Sequence, residues 1–222
     1  MSTVLFLHVS ISTVETISNF PFLPLFWLMI PHLGRYVHDN NDAIVEQKDP
    51  STADYLIIDD VTSKNNRRRG LAVRDSDITV KDSIFAYNGE DGIRIEGDKN
   101  NPTKVTFEGT VSSYQNGRNG ILVGVSGPGN GPFDAEVTVK GTLNTYLNEQ
   151  DGLFVGSPVD MDPFTVADGA SFNACENDGI DIQNKAPAGE VNFMNSGAFT
   201  CGSTAGNGKD DIPTCAPCPA CS

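Results

Sequence analysis

The chain has 222 residues and carries 29 Asp and Glu against 15 Lys and Arg, a formal net charge of -14. That balance argues against nucleic acid as a partner, because phosphate backbones need a basic footprint, and it favours cations, calcium above all, over anions. Its 22 Gly and 13 Pro punctuate short apolar segments, as expected of one turn-rich β domain with short flanks.

Residues 1–34 differ from the rest. They hold no Lys or Arg, and the apolar run from Phe20 to Leu33 is broken by Pro21, Pro24 and Pro31, which a spanning helix tolerates poorly. Three readings stay open: an atypical signal or anchor segment with N-terminal membrane association, a mis-assigned chain start, or a folded cap. Residues 35–52 read as a polar linker or entry cap.

From residue 53 to 213 the chain repeats itself. Asn66, Asn88, Asn116 and Asn148 each stand four residues before a glycine that opens an apolar strand: Gly70-Leu71-Ala72-Val73, Gly92-Ile93-Arg94-Ile95, Gly120-Ile121-Leu122-Val123 and Gly152-Leu153-Phe154-Val155. In two degenerate copies, Cys175 takes the Asn place before Gly179-Ile180-Asp181-Ile182, and Asn207 leads into Asp211-Ile212. Upstream of each Asn a second strand recurs as a triplet: Leu56-Ile57-Ile58, Ile78-Thr79-Val80, Val105-Thr106-Phe107, Val137-Thr138-Val139, Phe164-Thr165-Val166 and Val191-Asn192-Phe193. Period-two alternation in short Val, Ile and Phe segments bounded by Asn-Gly and Asp-Gly predicts strands and tight turns. The repeat length is that of a solenoid, so about six coils stack their apolar columns at about 4.8 Å. No coil buries enough to fold alone. The Asn column predicts a ladder of side-chain amides from coil to coil.

This Asn-x-x-[Asp/Asn]-Gly-apolar signature resembles the right-handed parallel β-helix of the pectate-lyase-like superfamily, over about residues 53–213. The resemblance implies an all-β fold. It does not assign an activity, because such a fold hosts lyases, hydrolases, epimerases, adhesins and spacers. Glu176-Asn177-Asp178-Gly179 is similar to the Asn-Thr-Asp-Gly motif of polygalacturonases, but the paired Asp and the Gly-His-Gly that carry their acid and base work are missing. Lyases of the superfamily often combine calcium with an Arg base, which implies Arg94 or Arg118 here. All three histidines, His8, His32 and His38, precede the repeats.

The loops after the Gly-led strands vary in length and are expected to form a shared rim bearing Asp98, Asp134, Asp160, Asp162 and Glu190, a ligand-binding edge on which Asp160 and Asp162 are the calcium candidates. A second acidic column precedes the glycines: Asp91, Asn119, Asp151, Asp178 and Asp210, explained by Asx-turns or by a bridging cation. Thr79, Thr106, Thr138 and Thr165 form an outward hydroxyl column, with ordering of ice as its sharper reading. Of five cysteines, Cys175 and Cys201 fall in neighbouring coils and are expected to pair. Cys215, Cys218 and Cys221 lie in a Pro-rich tail, 214–222, read as a disulfide-rich extension.

The sequence thus leads to a noncatalytic extracellular or cell-surface module that binds a polysaccharide or surface glycan, adheres or serves structurally, with calcium as stabiliser. The alternative is a lyase or epimerase acting on acidic glycans.

Overall fold

The computed structural model describes residues 35–38, 42–47, 55–96, 103–124, 133–156, 159–185, 191–195, 197–205 and 214–218. Among the described residues, twenty short strands form three parallel sheets. Sheet 1 holds β1 (Arg35–His38), β4 (Val61–Lys64), β7 (Ile84–Ala86), β10 (Thr110–Tyr114), β13 (Thr142–Tyr146), β16 (Ser171–Cys175) and β19 (Ala198–Cys201). Sheet 2 holds β2 (Asp42–Gln47), β5 (Arg69–Arg74), β8 (Ile93–Glu96), β11 (Ile121–Val123), β14 (Leu153–Val155), β17 (Ile182–Asn184) and β20 (Thr204–Ala205). Sheet 3 holds β3 (Tyr55–Asp59), β6 (Asp77–Lys81), β9 (Thr103–Glu108), β12 (Phe133–Val139), β15 (Val159–Val166) and β18 (Val191–Asn195). The chain visits the sheets in that order on every rung, so the fold is a parallel β-solenoid.

The first five triplets stand in register in sheet 3, whereas in the sixth Phe164 pairs with Phe193 and not with Val191; the first four Gly-led strands are in sheet 2. The expected count of about six coils over 53–213 does not carry over as it stands. Strands are already present at Arg35–His38 and Asp42–Gln47, where a linker or cap was expected, and residues 206–213, with Asn207, lie outside the described ones, as do residues 1–34. Inward columns such as Ile93, Ile121, Leu153 and Ile182 on sheet 2, and Phe107, Val139 and Val166 on sheet 3, are fully or almost fully buried.

Sheet 1 is the strand set that alternation does not reveal. Its inner positions include Ser63, Ser113 and Thr145, all buried, where an apolar residue is expected. The carbonyls of all three, and the hydroxyls of Ser63 and Ser113, serve the corners. Ser63 and Ser113 donate to the carbonyls of Gly70 and Gly120 at 2.9 and 2.7 Å. At that corner the predicted amide ladder is present. The side-chain amides of Asn66, Asn88, Asn116 and Asn148 donate to the Oδ1 of Asn88, Asn116, Asn148 and Asn177 at 2.8, 3.0, 3.0 and 2.8 Å. Each backbone N–H of the four donates to the same oxygen.

Asn177, not Cys175, therefore holds the fifth place, and the strand-opening place falls at Asp181 rather than Gly179, since Leu153 pairs with Ile182. The residues immediately before the ladder Asn confirm the alignment. Asn65, Tyr87, Gln115, Leu147 and Glu176 all adopt left-handed backbone, with φ of 51 to 60°.

The glycines follow from the ladder. A Cβ at Gly70, Gly92, Gly120 or Gly152 would lie 2.8, 2.6, 2.7 or 2.7 Å from the amide nitrogen of the ladder Asn one coil on. Where the next coil has no Asn, a side chain fits. Between β19 and β20 only Gly202 and Ser203 remain, and Asp181 fills the space. Its Oδ1 accepts from the N–H and amide of Asn177 at 3.2 and 2.8 Å, as a further Asn would, and its Oδ2 accepts from Gly202 N, Ser203 N and Ser203 Oγ.

The expected bond between Cys175 and Cys201 is absent. Cys175 bonds to Cys218 and Cys201 to Cys215, with Cα separations of 5.9 and 5.5 Å. Register explains it: Cys201 lies beside Ala174, so Cys175, one residue on, faces the opposite side of the sheet. Closing chain segments of 43 and 14 residues, such links typically contribute about 3 to 4 kcal/mol each by restricting the unfolded chain.

Replacing Asn116 by Ala removes the acceptor for two Asn88 donors and the donor to Phe85 O and Ser113 Oγ. At about 1 to 3 kcal/mol per buried orphaned group, urea denaturation should show a loss of roughly 3 kcal/mol or more. A loss below about 1 kcal/mol would mean that the ladder is dispensable. Leu147 is 46 % exposed and left-handed at φ 56°, so Leu147→Asn should raise the unfolding free energy by roughly 0.5 to 1 kcal/mol by easing backbone strain.

Candidate functional site

From β5 to β17 the outer face of sheet 2 carries one residue per strand between two inward positions. Ala72, Arg94, Leu122, Phe154 and Gln183 stand in register across β5, β8, β11, β14 and β17. Parallel stacking converts the variable middle residue of each Gly-led strand into a continuous strip. Corner residues Arg118, Asn119, Gln150 and Asp151 border this strip on one side, with Gly124, Gly156 and Lys185 among the residues after the strands. Together they enclose an open groove of about 550 Å³.

Arg94 sits at one end of the groove floor. Although it is on the outward face, it is only 2 % exposed. Its Nη1 lies 3.6 Å from Asp91 Oδ2 and its Nε pairs with Glu96. A guanidinium held between two carboxylates shapes the floor and is poorly placed to take a proton from a ligand. Arg118 is exposed on the corner above it. Further along, Lys185 Nζ lies 5.3 Å from the centre of the partly exposed Phe154 ring, within cation–π range.

The second acidic column is a hydrogen-bonded row. Asn119 donates through its backbone N and Nδ2 to Asp91 Oδ1 at 3.3 and 2.9 Å, and Asn119 Oδ1 accepts from Asp151 N at 3.3 Å. Asp151 Oδ1 in turn accepts from Ile180 N at 2.7 Å. The corrected alignment puts Ile180, not Asp178, in this column. An Asn thus separates the two carboxylates, and protein donors join the row.

Burial pushes the Asp91 carboxyl above its ordinary range, opposed by the Asn119 hydrogen bond and by Arg94. Its Oδ2 is buried without a hydrogen bond and faces Arg94 across the ion pair. The Asp151 carboxyl is also raised by burial, with the Ile180 amide and Lys185 opposing and Asp181 adding to the rise.

The expected rim is only partly in view. Asp98 and Glu190 lie outside the described residues. Asp134, Asp160 and Asp162 belong to strands β12 and β15, not to loops. Asp134 and Asp160 are direct neighbours in register, and the pairing slips between Ala135 and Val137. Among the described residues, no group of three or more His, Cys, Asp or Glu is arranged to hold a metal ion. In the Thr column, Thr79 is buried at 3 % exposure, while Thr106, Thr138 and Thr165 are partly exposed.

Phe154, Gln183 and Lys185 were not singled out by motif. The signal was available for Phe154, as the outward member of Leu153-Phe154-Val155. Gln183 was hidden by the two-residue misalignment of its coil.

Among the described residues no helix is long and apolar enough to cross a membrane. Comparisons with models of protein families, with curated proteins and with solved structures find no match to this chain.

Both raised carboxyls set a pH dependence. With folded values above the 3.8 of a free Asp, the folded state binds more protons in that window, so their contribution is greatest below pH 3.8 and declines as pH climbs through the folded values. In Asp91→Asn part of this decline is removed. The stability difference between variant and parent should therefore grow in the variant's favour from pH 3.8 upward and then level off. A difference independent of pH in urea titrations would refute the perturbation of Asp91.

Proposed function

We propose that this chain is a noncatalytic, exported carbohydrate-binding module, built as a right-handed parallel β-helix of the pectate-lyase-like superfamily, and that the groove on the outer face of sheet 2 takes the glycan. The observation that carries the reading is the Phe154 ring, beside Leu122, in the floor of an open groove that several hydrogen-bonding side chains border. A pyranose ring has an apolar face that packs on an aromatic side chain and an equatorial rim of hydroxyls that need donors and acceptors. Arg118, Gln150, Asp151, Gln183 and Lys185 supply both kinds around Phe154.

Several features agree with the wider reading. Parallel strands joined by crossovers wind right-handed in nearly all proteins. Two disulfides suit an exported domain, since oxidising compartments preserve them. The burial of Arg94 between Asp91 and Glu96 weighs against it as the base of the lyase alternative, which leaves the exposed Arg118 as that reading's candidate.

The test is retention of the purified chain on a panel of immobilised plant, algal and microbial polysaccharides. Phe154→Ala and Arg118→Ala should each weaken retention on whichever glycan binds, by at least about tenfold for Phe154→Ala (about 1.4 kcal/mol), with unchanged circular dichroism. Retention unaffected by Phe154→Ala would remove the groove as the site, and release of unsaturated products from pectate or alginate would establish the enzyme instead.

A further inference from the structure

We propose that residues 214–218 form a redox-released strap, which closes the edge of sheet 1 while both disulfides are intact and frees it when a dithiol reductant opens them. β19 is the last strand of sheet 1, and such an edge presents backbone groups ready to pair with another strand. The tail covers it. Ala216 bridges Thr200 in parallel; its N–H donates to Phe199 O at 2.8 Å, and its carbonyl accepts from Cys201 N at 3.0 Å. Cys215 packs against the hydrophobic core, next to a ring cluster in which Phe199 meets Phe164, Phe172 and Phe193. One bridging residue with two backbone hydrogen bonds is a weak hold. The covalent links to Cys175 and Cys201 fasten it.

The two links are unequal. Cys201 is 6 % exposed and its partly exposed partner Cys215 packs on the core, whereas in the other link neither Cys175 nor Cys218 is buried. Access governs attack by a thiolate, so Cys175–Cys218 opens first. In each opening one thiolate of the reductant attacks a cysteine sulfur and forms a mixed disulfide. Its second thiol then closes a cyclic disulfide, and two electrons and two protons pass to the protein, leaving two cysteine thiols. After the first opening the strap is still held by Cys201–Cys215 and the Ala216 bridge. After the second, the carbonyl of Phe199 and the N–H of Cys201 lose their partner, and the β19 edge is open.

The experiment exposes the full chain to increasing dithiothreitol, traps thiols by alkylation, and follows amide hydrogen exchange over 199–201 together with proteolysis of 214–218. Cys175 and Cys218 should be alkylated first with exchange unchanged. Cys201 and Cys215 should follow, with exchange at 199–201 faster by at least about tenfold, cleavage of the tail, and a shift to oligomers on gel filtration. Unchanged exchange and an uncut tail after all four cysteines are modified would overturn the proposal. The double variant Cys215→Ser/Cys218→Ser should show the open edge without reductant while keeping its β-sheet circular dichroism. Loss of that signal would make the links supports of the whole fold and would equally overturn it.

Discussion

A carboxamide oxygen that accepts two hydrogen bonds from the coil before it is the constraint on which the rest of this molecule depends. It fixes the axial repeat, because each Asn must stand where the next can reach it. It also excludes a side chain from the strand-opening position, where a Cβ would run into the neighbouring amide, and holds the preceding residue in left-handed backbone whatever its type. Ser63, Ser113 and Thr145 belong to the same arrangement, since the carbonyls of all three accept from ladder amides one coil later. Buried polar groups on this scale are costly unless satisfied as a set, and repetition satisfies the ladder amides and these carbonyls, while Thr145 Oγ1 and Asp91 Oδ2 are buried without a hydrogen bond.

Repetition needs an end, and two devices supply it. Asp181 closes the ladder with a carboxylate that offers Asn177 the same acceptor as an Asn and gives its second oxygen to the shortened corner at Gly202 and Ser203. The tail then lies against β19, so the terminal strand of sheet 1 is not left as a bare edge. Termination by polar satisfaction and by a covalent strap are different solutions to the same problem, that of a stack with unpaired backbone at its face.

The stacking that makes the core also makes the groove. Inward positions of the sheet 2 strands from β5 to β17 are Ile, Leu and Val except at the buried Asn184 beside Val155, while the outward position varies, and five successive coils place Ala72, Arg94, Leu122, Phe154 and Gln183 in one strip. Function on a fold of this kind resides in such variation. The strip passes from a buried ion-pair network at Arg94 to an accessible aromatic ring at Phe154. The adjoining row from Asp91 through Asn119 to Asp151 stiffens the corner beside it.

Sequence by itself determined the parallel stacking of sheets 2 and 3, the Asn ladder over its first four members and the need for glycine after it, because each is a local pattern repeated at a fixed spacing. Sheet 1 was not legible, since its inner Ser and Thr break apolar alternation in order to serve a neighbouring coil. The left-handed residues were equally hidden among ordinary Tyr, Gln, Leu and Glu. Only the tertiary structure decided that Asn177 and Asp181 continue the ladder, two residues out of step with the apparent motif, because register is set by the coil already laid down. It alone decided the cysteine partners, through the opposite faces of Cys175 and Cys201, and the burial of Arg94, through carboxylates that are close only in the fold. Local propensity is written residue by residue, whereas these features depend on which surfaces the stack brings together.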